Sequence, residues 1–313
     1  MNNAMKVVVF YYSQTGQAKR VADFICRPLE QAENDGAAVT VCYKEIVPQQ
    51  HYPFPWSKEA FFDVFPETRL GIPPSGIAPM DFSDVQDADL VVVVGQSWFL
   101  SPSLPLQSFF LDRQVREYLS GRDVVFVNVC RNMWLMTARK IKAYLKDIQA
   151  RLVGHIVLQD EAPNLVSVLT IIRWLMYGKK EATALFPPAG VSGASICWSS
   201  CFGKVMLKAL RNKDFSTLQR DMLSYGAIHY KPSVLFLEKM GHRMFGLWAQ
   251  FIRRKGEMGN PKRRWRTQLF YYYLLTVLFL LSPFAQLGYR LCHLFSSQER
   301  QRRIDCGVDY QEE

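Results

Sequence analysis

Small hydroxyl residues and one glycine follow the first apolar run of the chain, in residues 12–18. Gly16 lets the backbone turn sharply, so the amide groups of the segment can point towards one position at the start of the next predicted helix. The dipole of that helix favours an anion at the same position. An ordinary helix N-cap is the alternative for so short a segment. The candidate phosphate-binding residues are Ser13, Gln14, Thr15, Gly16, Gln17 and Ala18.

Two further segments begin where apolar runs end. Residues 95–102 follow the run 89–95, and residues 130–134 follow the run 123–129. Because parallel strands present their carboxyl ends at one edge of a sheet, all three segments are expected to converge there. Trp98 could stack on a planar ring, or the aromatic pair could simply cap the sheet. The candidate ring-binding residues are Gln96, Ser97, Trp98, Phe99, Leu100, Cys130, Arg131 and Asn132.

Arg131 is the candidate catalytic residue, since a fixed cation at this edge could stabilise negative charge on a ring or an enolate. The alternative is a solvated surface arginine. The proline-rich, aromatic segment 44–80 could cover the site, with Phe54, Trp56 and Phe61 as shielding residues, or it could pack as a flap without a ligand. No metal site is expected, because the seven cysteines are scattered and lack paired spacing.

Short β-branched runs alternate with amphipathic helices in the first half of the chain. Strands are predicted at 6–11, 38–43, 89–95, 123–129 and 155–158. Helices are predicted at 18–34, 135–150, 166–177, 197–210 and 234–254. The alternation predicts an α/β fold, with a doubly wound parallel five-stranded sheet over 1–158 and an appended helical region over 159–260.

The C-terminal part joins an uncharged run to a basic flank. Residues 269–289 carry no charge over 21 residues, which at ~1.5 Å per residue could cross a hydrocarbon layer of ~30 Å. Residues 239–266 hold nine Lys/Arg and one acid. This bias predicts the cytoplasmic face of the inner membrane, with 269–289 as the anchor. A monotopic insertion, favoured by Pro283, and a buried core helix are the alternatives.

The tail and the charge complete the domain description. Residues 261–295 are predicted as a membrane-associated segment containing a C-terminal helix, and residues 296–313 as a polar tail. The net charge of +10 favours an anionic partner. Since the excess is concentrated beside the apolar run, a membrane surface is expected and nucleic acid is not.

The segment 12–18 resembles the phosphate loop of the flavodoxin family, S/T-x-T-G-x-T, in sequence and in its place after the first strand. The resemblance implies a flavodoxin-like sheet and FMN as the cofactor, held by the three converging segments. Ala18 stands where the family often has a hydroxyl residue, so one side-chain hydrogen bond to the phosphate is missing.

Longer blocks resemble a bacterial family whose members are labelled dialkylresorcinol condensing enzymes. They are residues 11–17, 52–56, 60–63, 65–67, 130–134 and 174–180, within a resemblance that covers most of 1–188. It implies a part in making dialkylresorcinol-type lipids beside a ketosynthase and an acyl carrier protein. A flavodoxin-like site suits electron or hydride transfer, so the implied step is aromatisation of a dialkyl-1,3-cyclohexanedione, a lipid-like small molecule, to a resorcinol.

Two other functions stay open. The family label implies condensation of acyl thioesters, for which Cys130 would be the candidate nucleophile. The non-catalytic alternative is a membrane-anchored scaffold that docks the ketosynthase or the acidic carrier protein through a basic surface.

Overall fold

Residues 5–32, 39–229 and 232–281 are described by the structure, a computed structural model. Its strands are β1 (Met5–Tyr11), β2 (Val39–Glu45), β3 (Leu90–Trp98), β4 (Ser101–Pro102), β5 (Asp123–Cys130) and β6 (Arg151–Gln159). Five of them form a parallel sheet in the order β2-β1-β3-β5-β6, and β4 pairs antiparallel with β3. Counted along the parallel sheet alone, this is the 2-1-3-4-5 order of flavodoxin-like folds. The predicted α/β sheet is confirmed, and β4 was not predicted.

Both faces of the sheet are covered, which explains why its strands are rich in valine. The helices are α1 (Gln17–Glu30), α2 (Lys58–Asp63), α3 (Phe65–Leu70), α4 (Leu104–Leu111), α5 (Arg113–Leu119), α6 (Leu135–Ile148), α7 (Asn164–Tyr177), α8 (Gly193–Trp198), α9 (Ser200–Asn212), α10 (Leu218–Ser224), α11 (Pro232–Arg253) and α12 (Arg264–Thr276). Val7 and Val92 face a core shared with α1, α8, α9 and α10. Val8 and Val91 face a second core shared with α4, α5 and α6.

Two predicted helices differ from those observed. The predicted helix 197–210 is divided into α8 and α9 at Ser199, whose hydroxyl donates to the carbonyl of Ile196 at 2.6 Å. That bond uses the carbonyl of the last turn of α8, so the chain begins a new helix at Ser200. The predicted helix 18–34 ends at Glu30, and residues 33 and 34 lie outside the described residues.

The aromatic segment 44–80 contains secondary structure that its composition did not predict. It folds back on itself through a bridge between Pro48 and Ile77, and it carries α2 and α3. Ser57 caps α2, because its hydroxyl accepts a hydrogen bond from the amide of Ala60. The segment therefore carries two short helices in addition to its extended aromatic part.

A buried ion network fastens this segment to the C-terminal helices. Arg263, which is fully buried, pairs with both carboxylate oxygens of Glu67 at 2.7 and 2.8 Å and with Asp63 at 2.8 Å. α12 continues as a π-helix over Val277–Leu281. Of the predicted anchor 269–289, residues 282–289 lie outside the described residues, as does the polar tail. Within the described part of the chain, no helix combines the length and apolarity needed to cross a membrane.

Candidate active site at the carboxyl edge of the sheet

The turn after β1 presents unpaired backbone amides at the start of α1. Gly16 precedes the helix with φ of 78°, in the left-handed region that glycine adopts without strain, and the space around its Cα is open. Ser13 uses its hydroxyl to accept a hydrogen bond from the amide of Lys19 at 3.1 Å. The amides of residues 14–18 make no hydrogen bond with any group in the described part of the chain. Five donors at one helix N-terminus form a potential anion site.

The two glutamines of this turn have structural roles. The side-chain amide of Gln14 donates to the carbonyl of Pro53 at 3.0 Å, and its oxygen accepts from the indole of Trp56 at 3.3 Å. Gln17 exchanges two hydrogen bonds with the backbone of Val191, at 3.1 and 3.2 Å. Both side chains are therefore engaged with neighbouring segments, and a ligand here would be held by backbone amides.

The turn after β3 is a tight hairpin into β4. Phe99 and Leu100 form it with φ of 46° and 60°, both in the left-handed region. Two central residues with positive φ are typical of a type I′ turn, which normally contains glycine or asparagine. The ring of Phe99 lies 4.8 Å from that of Phe61 and 5.2 Å from that of Phe65. This packing holds a conformation that non-glycine residues adopt at a cost of ~1–2 kcal/mol each.

Trp98 is half-buried at this edge. Its ring lies within an aromatic cluster, 5.4 Å from Tyr52, 5.5 Å from Trp56 and 6.1 Å from Tyr12. The segment 44–80 supplies two of these rings, which contact the indole edge-on, and the stacking role of Trp98 stays a prediction. Nearby, the side-chain nitrogen of Gln96 is buried and makes no hydrogen bond with the described residues.

The turn after β5 holds Arg131 in a fixed orientation. Its Nη1 donates to both oxygens of Asn164, at 3.1 and 2.8 Å, and to the hydroxyl of Ser167 at 3.0 Å. Burial lowers the pKa of Arg131 to about 10, while the nearby charge of Asp160 acts in the opposite sense. The side chain therefore stays protonated at neutral pH. Its Nη2 and Nε make no hydrogen bond with the described residues, so these two donors are left for a ligand.

The neighbours of Arg131 are buried. Cys130 is enclosed, and burial together with the charge of Glu238 raises its pKa, which disfavours the thiolate that a nucleophile requires. Asn132 donates from Nδ2 to Oδ1 of Asn164 at 2.8 Å, whereas its own Oδ1 is buried and receives no hydrogen bond from the described residues.

A cavity of about 770 Å³ opens between these turns and the appended helices. Its polar end is formed by Ser97, Arg131 and Asn164. Ser57 and Lys58 also line the cavity, and the remaining walls are apolar. The walls come from the segment 44–80, the β3–β4 turn and helices α7, α11 and α12. The apolar wall residues are Trp56, Phe61, Phe62, Phe99, Leu100, Met133, Val168, Ile171, Ile172, Leu175, Met176, Tyr177, Leu237, Met240, Met244, Phe245, Tyr271, Tyr273, Leu274, Leu275, Val277 and Leu278.

Most of the predicted site residues are brought to this edge, but they divide into two neighbouring groups. Ser97, Phe99, Leu100 and Arg131 line the cavity, as do the predicted shielding residues Trp56 and Phe61. The phosphate-loop residues lie beside it, separated by the contact between Gln14 and Trp56 described above. The third shielding residue, Phe54, instead packs edge-on against Trp174 at 6.4 Å.

Asn164 is a site residue that the sequence analysis missed. It begins α7 directly after Pro163, a position where the only local signal is that of a helix start. No group of three or more His, Cys, Asp or Glu within the described ranges could hold a metal ion.

Comparison with known proteins finds similarity of fold only. No protein-family model matches the chain, and no curated protein matches it. An archaeal flavodoxin is 12% identical with a TM-score of 0.37, over 66% of this chain and 99% of the flavodoxin. An FMN-bound flavoprotein from Lactobacillus acidophilus is 16% identical with a TM-score of 0.38, over 49% and 93%. An azoreductase from Bacillus anthracis is 12% identical with a TM-score of 0.32, over 56% and 96%. With TM-scores this low, none carries weight for the function, which we infer from this chain's own residues.

Proposed function

We propose that this chain is an FMN-dependent oxidoreductase that aromatises a dialkyl-1,3-cyclohexanedione to a resorcinol. One observation carries the proposal: a largely apolar cavity ends at a fixed, protonated Arg131, beside a turn with five amides that make no hydrogen bond with the described residues. The cavity suits a ligand that is mostly hydrocarbon with a few oxygens, and the turn suits a phosphate.

The residues present fit FMN. Flavodoxin-like sheets bind it at the switch point between β1 and β3, where the unpaired amides and the β3–β4 turn lie. The buried Nε2 of Gln96 and Oδ1 of Asn132 lack partners among the described residues, and a flavin ring carries both acceptors and a donor at its polar edge. The cavity volume of about 770 Å³ lies within the ~300–1,000 Å³ usual for small-molecule sites. Bound FMN would supply a two-electron acceptor.

The reaction removes two hydrogens from the ring of the dione, one as hydride and one as a proton. Loss of the proton places negative charge on a carbonyl oxygen, and the free donors of Arg131 are the groups that can hold an enolate there. Asn164 and Ser167 fix the guanidinium in advance through three hydrogen bonds, so it needs no rearrangement as the charge develops. After this oxidation, tautomerisation gives the aromatic diol by moving protons within the molecule, and no further hydrogen is removed.

The apolar walls serve the alkyl substituents. Each methylene transferred from water to such a surface contributes ~0.8 kcal/mol, so two alkyl chains would dominate the binding energy. The same walls exclude water from the polar end, where the interaction between Arg131 and an enolate is strengthened by the low dielectric. The basic flank of the C-terminal region supports the further proposal that the enzyme works at the cytoplasmic face of an anionic membrane.

The resemblance of the longer blocks supports partnership with a ketosynthase and an acyl carrier protein. Condensation catalysed by this chain itself is disfavoured by the buried Cys130, whose pKa is raised. The non-catalytic scaffold makes no use of the cavity, and turnover by the isolated protein would exclude it.

FMN binding is tested at Thr15, whose side chain makes no hydrogen bond with the described residues. The Thr15→Asp variant places a carboxylate beside the unpaired amides, where it competes with phosphate while favouring the helix. We expect it to weaken FMN binding at least about tenfold. The Thr15→Asn variant, whose new side chain has the shape of Asp but no charge, should retain most of the FMN affinity. Riboflavin, which lacks the phosphate, should bind both variants equally. A wild-type protein that gains no flavin absorbance after addition of FMN would refute the proposal.

Turnover is tested with a synthetic dialkyl-1,3-cyclohexanedione and product detection by mass. Removing the charge with Arg131→Gln should lower kcat about 100-fold, since a preorganised donor to an oxyanion contributes on that scale, while FMN stays bound. Cys130→Ser should retain aromatisation. Loss of product in Cys130→Ser with flavin still bound would favour condensation instead.

A further inference from the structure

The mouth of the cavity can be located from the exposure of its lining residues. Tyr177 is 71% exposed, Met240 44% and Met244 37%, while the other apolar lining residues are more enclosed. Tyr177 is the last residue of α7, and the two methionines lie near the middle of α11. The cavity therefore opens between α7 and α11, and Tyr177 lies at the other end of α7 from Asn164, which lines the polar end.

Exposed apolar residues surround this opening in a regular pattern. On α11, Phe236, Met240, Met244 and Leu247 are exposed at intervals of four, four and three residues, which places them along one stripe of the helix. Together with Tyr177 they form what we call the mouth face. An exposed apolar stripe around a cavity mouth is typical of a surface that contacts another apolar phase.

The exposed charges on this part of α11 are cations. Lys239 and Arg243 are exposed, each directly preceding a methionine of the mouth face, and neither forms an ion pair with the described residues. The one acid nearby on the helix, Glu238, is buried against α6. α11 therefore presents apolar and cationic side chains side by side, the pattern of a helix that lies in the surface of an anionic bilayer.

We infer that the mouth face docks on an anionic lipid bilayer, so that the substrate passes laterally between the lipid and the cavity. The inference rests on the proposed function for the identity of the substrate, but the docking itself does not. It assigns the membrane contact to α7 and α11, in addition to the predicted anchor 269–289. Dialkylated rings partition into lipid. If the cavity opens towards the bilayer, such a substrate can enter it without first passing through water.

The test uses the full chain with a photo-reactive p-benzoylphenylalanine in place of Met240. Leu111 on α4 is the matched control position, because it is also 44% exposed and does not line the cavity. After illumination with vesicles of phosphatidylglycerol and phosphatidylcholine, we expect a phospholipid adduct at position 240 and none at position 111. The readout is the mass of the labelled peptide, so it needs neither flavin nor turnover. Failure of the proposed function and failure of docking are thus distinguished.

The contribution of the cationic side chains of α11 to bilayer docking is tested in the same cross-linking assay. The Lys239→Glu/Arg243→Glu variant should reduce adduct formation at position 240 at least about fivefold. Lys204→Glu/Lys208→Glu on α9 is the control, because it has the same spacing and the same change of charge. An adduct with a second protein chain at position 240, or lipid adducts at Leu280 but not at 240, would overturn the inference.

Discussion

Glu238 is expected to make the free energy of unfolding depend on pH. Its carboxylate is buried and accepts the amide of Met136 at 2.7 Å, at the N-terminus of α6. Burial raises the pKa of Glu238 to about 7, although hydrogen bonds from the amides of Met136, Leu135 and Trp134 act in the opposite sense. The residue joins α11, one wall of the cavity, to the helix that follows the Arg131 turn.

The sign follows from proton binding. The folded state holds a proton on Glu238 between pH 4.5 and about 7, whereas the unfolded state has released it. The stabilisation is therefore fully present below pH 4.5 and is lost as pH rises through about 7. That interval, at ~1.4 kcal/mol per pH unit, corresponds to a loss of roughly 3 kcal/mol.

Urea unfolding of the wild type and of Glu238→Gln between pH 4.5 and 8 measures this loss as the difference between their free energies of unfolding. Buried His155 and half-buried His242, whose pKa values are lowered to about 3 and 4, give the opposite slope below pH 6.5. Subtracting the Glu238→Gln profile from that of the wild type removes their contribution, because Gln keeps an acceptor for Met136 but does not titrate. The difference should fall by roughly 3 kcal/mol as pH rises. A flat difference, or one equal to that of the exposed control Glu117→Gln, would refute the reasoning.

Two further predictions concern packing. Glu67→Gln should lower the free energy of unfolding by about 3–5 kcal/mol, because it leaves Arg263 buried without its full counter-charge, and a Glu67→Met/Arg263→Met double variant should recover part of the loss in urea unfolding. Gly203→Ala should lower the melting temperature, because a Cβ there would lie 2.0 Å from the carbonyl oxygen of Ile25 on α1. Gly193→Ala has open space and should leave the melting temperature unchanged or raise it slightly, so equal effects of the two alanines would contradict this account.

The sheet could be predicted because buried parallel strands leave a local signal. The runs at 89–95 and 123–129 each contain four valines among seven residues, and both belong to strands between two helical layers. The β3–β4 hairpin left no such signal, since Phe99 and Leu100 are not residues that turn preferences place at positive φ. Their conformation is imposed by rings from elsewhere in the chain, which a local pattern cannot report.

The candidate site shows the same division. The convergence of three turns follows from a general rule about parallel sheets, so the positions of Ser97 and Arg131 beside a common space could be anticipated. The partners of those residues could not. Asn164 and Ser167 hold Arg131 across more than thirty residues of sequence, and Trp98 packs against rings from a segment forty residues earlier. Such contacts depend on how the segment 44–80 and the appended helices pack against the sheet.

The additions to the sheet also decide what kind of ligand the site accepts. A flavodoxin-like sheet offers a crevice outside the ends of its strands, and here residues 13–18 and Arg131 lie in turns at that edge. The segment 44–80 and helices α7, α11 and α12 enclose the crevice with apolar side chains. On α11, Glu238 contacts α6 and does not line the cavity, while Met240, two residues later, lies at its mouth. Because the partners of Arg131 are Asn164 and Ser167 and neither belongs to the mouth face, substitutions in the mouth face are expected to affect substrate access before they affect the groups around Arg131.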